Sequence, residues 1–97
     1  MFARITKVQI KSNTLEETEK IYRESVIPAI KAQKGFQGTY MLADRKTGNG
    51  MAISLWDSEE DAIANEQSGY YRTTLDKFKD VFAAPPIREG YEVIVQG

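Results

Sequence analysis

Two stretches of this 97-residue chain carry apolar side chains on both sides of a strand pattern. In residues 36–44, Phe36, Gly38, Tyr40 and Leu42 alternate with Gln37, Thr39, Met41 and Ala43. In residues 51–56, Met51, Ile53 and Leu55 alternate with Ala52, Ser54 and Trp56. A sheet that is apolar on both faces needs cover on both faces. At 97 residues there is room for one core and one domain, residues 1–97. Cysteine is absent, so no disulfide staples the chain. Both covers must therefore come from packed elements, and one short chain supplies few of them.

The remaining pattern says which elements those are. Residues 2–11 alternate, with Phe2, Arg4, Thr6, Val8 and Ile10 on one face and Ala3, Ile5, Lys7, Gln9 and Lys11 on the other. Asn13 or Thr14 then caps a helix with Glu16 and Glu17 in its first turn, where the dipole favours anions. Leu15, Thr18, Tyr22, Val26, Ala29 and Gln33 repeat at helical spacing, Pro28 kinks or divides the helix, and Gly35 stops it. Residues 44–50, Asp-Arg-Lys-Thr-Gly-Asn-Gly, form a hairpin turn between strands 36–44 and 51–56. Asp57-Ser58 caps a second helix that bends at Gly69 and resumes through Tyr71, Leu75, Phe78 and Phe82 to about Ala83, before Pro85-Pro86. Residues 88–96 close the chain as a fourth strand.

The order is β-α-β-β-α-β. This is the α+β, ferredoxin-like arrangement, a four-stranded antiparallel sheet with two helices on one face. The helices cover one face. A second copy of the chain is the simplest cover for the other, so a homodimer joined sheet to sheet is expected.

Composition narrows the function. Thirteen basic against fourteen acidic residues give a net charge of −1, which supplies neither a nucleic-acid grip nor a basic membrane patch. No run of about 18 apolar residues exists to span a membrane, and the N-terminus has no signal-peptide pattern, so a cytoplasmic location is expected. Histidine is absent along with cysteine. The commonest metal ligand, the commonest haem ligand and the usual neutral-pH acid–base group are thereby missing, and no metal site is expected. Glu16-Glu17 and Glu59-Glu60-Asp61 read as helix-start charges, and Gly48-Asn49-Gly50 as a turn with no helix N-terminus behind it.

The run from Ile27-Pro28 through Gly35-Phe36-Gln37-Gly38, then the hairpin, Ser54-Leu55-Trp56, Ser58-Glu59-Glu60 and Ala62, resembles the antibiotic-biosynthesis monooxygenase-like family. The resemblance runs from about residue 2 to 96 and implies a dimeric α+β barrel. Members include cofactor-independent monooxygenases of polycyclic phenols, quinol oxygenases, haem-degrading enzymes and proteins of no known activity, so the fold does not choose the chemistry. The haem-degrading branch implies an Asn in the first strand, a Trp nine residues after the strand-end Trp, and a haem-ligating His further along. Those slots fall here on Thr6, Asn65 and Leu75, none of which matches. The histidines common in the quinol-oxygenase-like branch fall on Asn65 and Tyr70. Haem degradation is therefore not expected.

Six residues are the candidates for binding a small aromatic ligand: Tyr22, Trp56, Asn65, Tyr70, Tyr71 and Arg72. Each has a plainer role beside it. Trp56 first of all packs a core, Asn65 is first of all a solvated helix residue, Tyr22 and Tyr71 pack with satisfied hydroxyls, and Arg72 is a surface cation. Tyr70-Tyr71-Arg72 beside the Gly69 break is the densest cluster, with a guanidinium suited to a phenolate or carboxylate. No catalytic residue is identified. One functional reading is a dimeric, cofactor-independent monooxygenase of a small aromatic or quinol-type substrate. The other is a non-catalytic dimer of the same fold that binds a small ligand or serves as a stress or accessory protein.

Overall fold

The computed structural model describes residues 1–97. It contains β1 (Phe2–Gln9), α1 (Leu15–Ile21), a π-helical turn (Tyr22–Val26), α2 (Ile27–Ile30), β2 (Phe36–Ala43), β3 (Asn49–Trp56), α3 (Glu59–Gln67), α4 (Tyr70–Asp76) and β4 (Ile87–Glu92). The strands form one antiparallel sheet in the order β2-β3-β1-β4, the ferredoxin-like topology. No helix is long and apolar enough to cross a membrane.

Both helical coverings are interrupted where the sequence places a breaker. Pro28 has no N–H to give the carbonyl four residues back, and its ring crowds that carbonyl. The turn before it widens to π geometry, closed by Ile27 N–H on Tyr22 O, and α2 begins with the proline in its first turn. Thr14 stands at the start of α1, but its hydroxyl donates back to Lys11 O at 2.7 Å rather than capping the helix. Ser58 does cap α3, accepting from Asp61 N–H at 3.2 Å. Gly69, at φ +87°, ends α3 and starts α4.

Three expectations are corrected. The second helix does not reach Ala83. It ends at Asp76, because the following turns are drawn onto the end of β1 by Lys11 N–H to Val81 O and Ala83 N–H to Gln9 O, both 2.7 Å. The fourth strand runs only from Ile87 to Glu92. Glu92 already pairs with Phe2 at the start of β1, and Val93 N–H to Met1 O at 3.0 Å is the last backbone bond between the two segments. Ile94 and Val95 are left exposed. The third correction concerns phase. The pairing of β2 with β3 shifts between Phe36 and Gly38, a bulge at Gln37. Phe36 pairs with Trp56 and turns to the helices, whereas Gly38, Tyr40 and Leu42 pair with Leu55, Ile53 and Met51 on the other face.

The core lies between sheet and helices in two clusters. One holds Phe2, Ile30, Trp56 and Ala62, with Phe36 and Tyr70 against it. Trp56 is 2% exposed, meets the Phe36 ring edge-on at 5.7 Å between centroids, and donates its indole N–H to Ser54 Oγ. The other holds Tyr22, Val26, Phe78 and Val81, with Met41, Ala52 and Phe82 beside it. The opposite face of the sheet carries Ile5, Ile53, Tyr40 and Leu42, which no helix covers.

Gly35 joins these pieces. It sits at φ +81°, accepts Asp57 N–H at 2.8 Å, and is packed so closely that a Cβ would meet the Asp61 carboxylate and lie 2.7 Å from Asp61 Cβ. Gly35→Ala is expected to lower the unfolding free energy by more than the ~1–2 kcal/mol of left-handed backbone alone. Adding Asp61→Ala should recover part of the excess, because the carboxylate is removed while the Cβ at 2.7 Å stays. Urea denaturation of the three variants measures this, and a Gly35→Ala cost within the ~0.5 kcal/mol of an ordinary surface change would refute it.

Candidate functional site

Between the two core clusters the chain leaves a cavity of about 80 Å³, lined mostly by apolar side chains from both. Its floor is the helix-facing side of the sheet, with Thr6, Met41, Ala52, Ser54 and Trp56. Its roof is formed where the helices break: Tyr22 and Val26 from the π turn, Asn65 and Glu66 from the end of α3, and Tyr70, Tyr71, Thr74 and Leu75 from α4.

Of the six sequence candidates, Tyr22, Trp56, Asn65, Tyr70 and Tyr71 line this cavity. Arg72 does not, and is exposed. On α4 the lining positions are 70, 71, 74 and 75, and position 72 lies on the opposite side of a 3.6-residue helix. The guanidinium that does line the cavity comes from β1. Arg4 Nε lies 2.6 Å from Glu66 Oε2, and its Nη2 donates to Glu66 Oε1 at 3.2 Å. Arg88 of β4 approaches the same carboxylate at 3.7 Å and stacks over the Tyr71 ring at 4.6 Å. Gly90, paired with Arg4 across β1 and β4, makes room for this, since a Cβ there would lie 2.5 Å from Arg4 Nη1. The sequence signal for this group is Arg4 on the apolar face of its strand, which demands a partner. Nothing in the sequence names Glu66 as that partner.

The polar groups of the cavity are mostly committed. Thr39 Oγ1 gives its one proton to Ile53 O at 2.9 Å, so in its contact with Tyr22 the phenol is the donor. Tyr70 donates to Val26 O at 3.1 Å, tying α4 to the π turn. Burial raises the pKa of Tyr22, opposed by the Thr39 hydrogen bond and aided by Tyr70 nearby. Burial likewise raises that of Tyr70, opposed by Thr74. Both are neutral phenols at neutral pH. Two buried donors have no hydrogen-bond partner in the protein: Arg4 Nε, which has the ionic contact with Glu66 Oε2, and Asn65 Nδ2, which has no counter-charge and sits on a residue 7% exposed rather than solvated.

The three positions matched to the haem-degrading pattern, Thr6, Asn65 and Leu75, all line the cavity. The alignment of slots thus fits the geometry, but the residues do not fit the group. Leu75 has no lone pair for iron, and about 80 Å³ is roughly half of an apolar cavity that admits benzene, far short of a porphyrin.

The family model described as antibiotic biosynthesis monooxygenase matches residues 1–77. Two uncharacterised proteins from Mycobacterium tuberculosis strains are each 27% identical over 93 residues. Those residues are 96% of this chain and 41% of theirs, so the chain spans about two fifths of the length of the curated relatives it matches. Among solved structures, the monooxygenase from the ActVA-Orf6 gene of Streptomyces coelicolor, in complex with nanaomycin D, superposes with a TM-score of 0.72 at 16% identity, covering 99% of this chain and 92% of that one. A point mutant of MhuD, with two manganese protoporphyrin IX molecules bound per active site, superposes at 0.81 and 17% identity, covering 100% and 98%. At such identities the likeness is one of fold.

The raised phenol values carry a signed consequence for stability. The folded chain holds these protons more tightly than the unfolded chain. The stability they contribute is complete below the ordinary tyrosine value of about 10 and is lost as pH rises through the folded values. Tyr22→Phe is expected to flatten the alkaline fall in melting temperature, and tyrosinate absorbance should show two late-titrating phenols in the parent chain and one in the variant. An unchanged titration would refute this assignment.

Proposed function

The chain belongs to the antibiotic biosynthesis monooxygenase family, whose model matches residues 1–77, and from that premise we propose that it is a cofactor-independent monooxygenase acting on a small aromatic or quinol-type substrate. The observation that carries this reading is the mostly apolar cavity lined by Trp56, Tyr22, Tyr70 and Tyr71. In such a reaction the substrate is itself the reductant. A quinol and dioxygen give a hydroxyquinone and water: one oxygen atom replaces a ring hydrogen, the other leaves as water, and the four electrons come from the ring. The protein's work is to bind, orient and dry the reactants. Trp56 and the Tyr71 ring, braced by Arg88, flank the substrate ring. Tyr22 and Tyr70 stay protonated and shape the wall, Asn65 donates a hydrogen bond, and Arg4 supplies positive potential for a developing phenolate. Arg72 has no part in this reading.

The working unit in this proposal is a homodimer in the cytoplasm. Only 12 of the 97 residues are buried in the single chain, and the face without helices exposes Tyr40 at 61%, Ile87 at 63% and Tyr91 at 52%. A second copy covers that face sheet to sheet. Ile53 is the central position, paired with Ile5 on one side and Tyr40 on the other.

Two measurements test these statements. Quinols in chelator-treated buffer should give oxygen uptake that catalase does not return, because the second product is water and not peroxide. No uptake above buffer from folded protein would refute the enzyme, and saturable binding without uptake would support the non-catalytic reading instead. Ile53→Glu should halve the sedimenting mass, since a carboxylate would be buried unpaired in the interface. A parent chain that sediments as a monomer would refute the dimer.

A further inference from the structure

The cavity can be read more finely than its family role, taking as given that it is the ligand site. We propose that it is shaped for a single-ring, uncharged ligand that presents one oxygen acceptor to Asn65 Nδ2. Three observations converge on this.

The first is the orphaned donor. Asn65 lies more than nine-tenths buried on the last full turn of α3, lines the cavity, and has no partner for Nδ2 within the protein. A buried amide donor left unpaired is costly, so an acceptor that enters the cavity gains a full hydrogen bond without displacing a protein one. The aromatic donors and Thr74 are spoken for: Tyr22 on Thr39, Tyr70 on Val26 O, Trp56 on Ser54 and Thr74 on Tyr70 O, while Arg4 Nε, the other buried donor without a hydrogen bond, faces the Glu66 carboxylate. A ligand therefore finds its polar anchor on α3 and not on the phenols.

The second is charge. Arg4, the cation of the lining, is held against Glu66 by two close contacts, and Arg88 leans on the same carboxylate. The two guanidiniums and one carboxylate keep a net charge of +1, but Arg88 is 39% exposed at its side chain and lies outside the lining, and the guanidinium that does line the cavity, Arg4, is the one committed to Glu66. A neutral carbonyl or phenol oxygen fits this better than a full anion, which would have to compete with Glu66 for the guanidinium.

The third is size. About 80 Å³ is roughly half of an apolar cavity that admits benzene. One ring enters with modest side-chain movement, for which flexible Met41 is available in the wall. A second fused ring must push α4 away from the π turn, against the Tyr70 bond to Val26 O.

The test is binding, which keeps it separate from turnover. Phenol and its isostere toluene are titrated into the full chain and followed by the side-chain amide signal of Asn65 and by calorimetry. Phenol is expected to bind about tenfold more tightly than toluene, with the Asn65 Nδ2 signal shifting for phenol only. In Asn65→Leu, and in Asn65→Ala as a second variant should the first fail to fold, the ratio should fall to about one. 1-Naphthol should bind more weakly than phenol. Equal affinities for phenol and toluene, a preference that survives in both variants, or tighter binding of the two-ring compound would each overturn the proposal. Oxygen uptake with a three-ring phenol would remove this inference and leave the monooxygenase standing. Failure of every ring to bind would remove both.

Discussion

A single hydrogen bond, from the Tyr70 hydroxyl to the Val26 carbonyl, joins the two places where the helical layer comes apart. The layer has to cover one face of the sheet, and a continuous pair of helices would do so by closing the core. Pro28 and Gly69 prevent that. One forces a widened turn over Tyr22–Val26, and the other separates α3 from α4. The core consequently condenses as two clusters instead of one, and the space between them is the cavity. Tyr70 packs against the first cluster and bonds to the backbone of the second, so it holds the opening at a fixed width. Cavity and helix break are the same feature here.

The Arg4–Glu66–Arg88 group does related work at the edge of the sheet. It links β1, β4 and α3 through charged contacts, and through Tyr71 it reaches α4 as well. Arg4 and Glu66 are only 17% and 12% exposed at their side chains, so neither is sustained by water alone. Removing one would strand the other, which in buried pairs costs about 3–5 kcal/mol. The glycine opposite Arg4 is what lets an arginine lie flat in the helix-facing layer of a sheet.

The architecture is legible in the sequence because its periodicities are unambiguous. The alternation of residues 2–10 and the breakers at Pro28, Gly35 and Gly69 each correspond to an observed element or break, and the expected hairpin is present, although its turn lies at residues 45–47 and Asn49 and Gly50, read as turn residues, already belong to β3. What stays hidden is long-range. The end of α4 is decided by backbone bonds to residues at the end of β1, far earlier in the chain. The Arg4–Glu66 pair spans 62 positions with no local signature. Asn65 reads as a solvated helix residue because its own helix is polar almost all round, and its burial comes from the layer beneath. Arg72 draws attention by adjacency to two tyrosines, although helical geometry turns it away from the cavity they line.

The bulge at Gln37 has a further consequence. A strand read in strict alternation offers each face one kind of residue, and the two faces of this sheet answer to different selective demands. By slipping one residue, β2 changes which surface its odd and even positions serve. Phe36 belongs to the interior that Trp56 anchors, while Tyr40 and Leu42, in step with it by parity, belong to the exterior. The two surfaces are thus uncoupled along one strand. Substitutions on the outward side need not disturb the side that encloses the cavity, and a reading that carries the parity of Phe36 past the slip would assign residues 38–43 to the wrong surface.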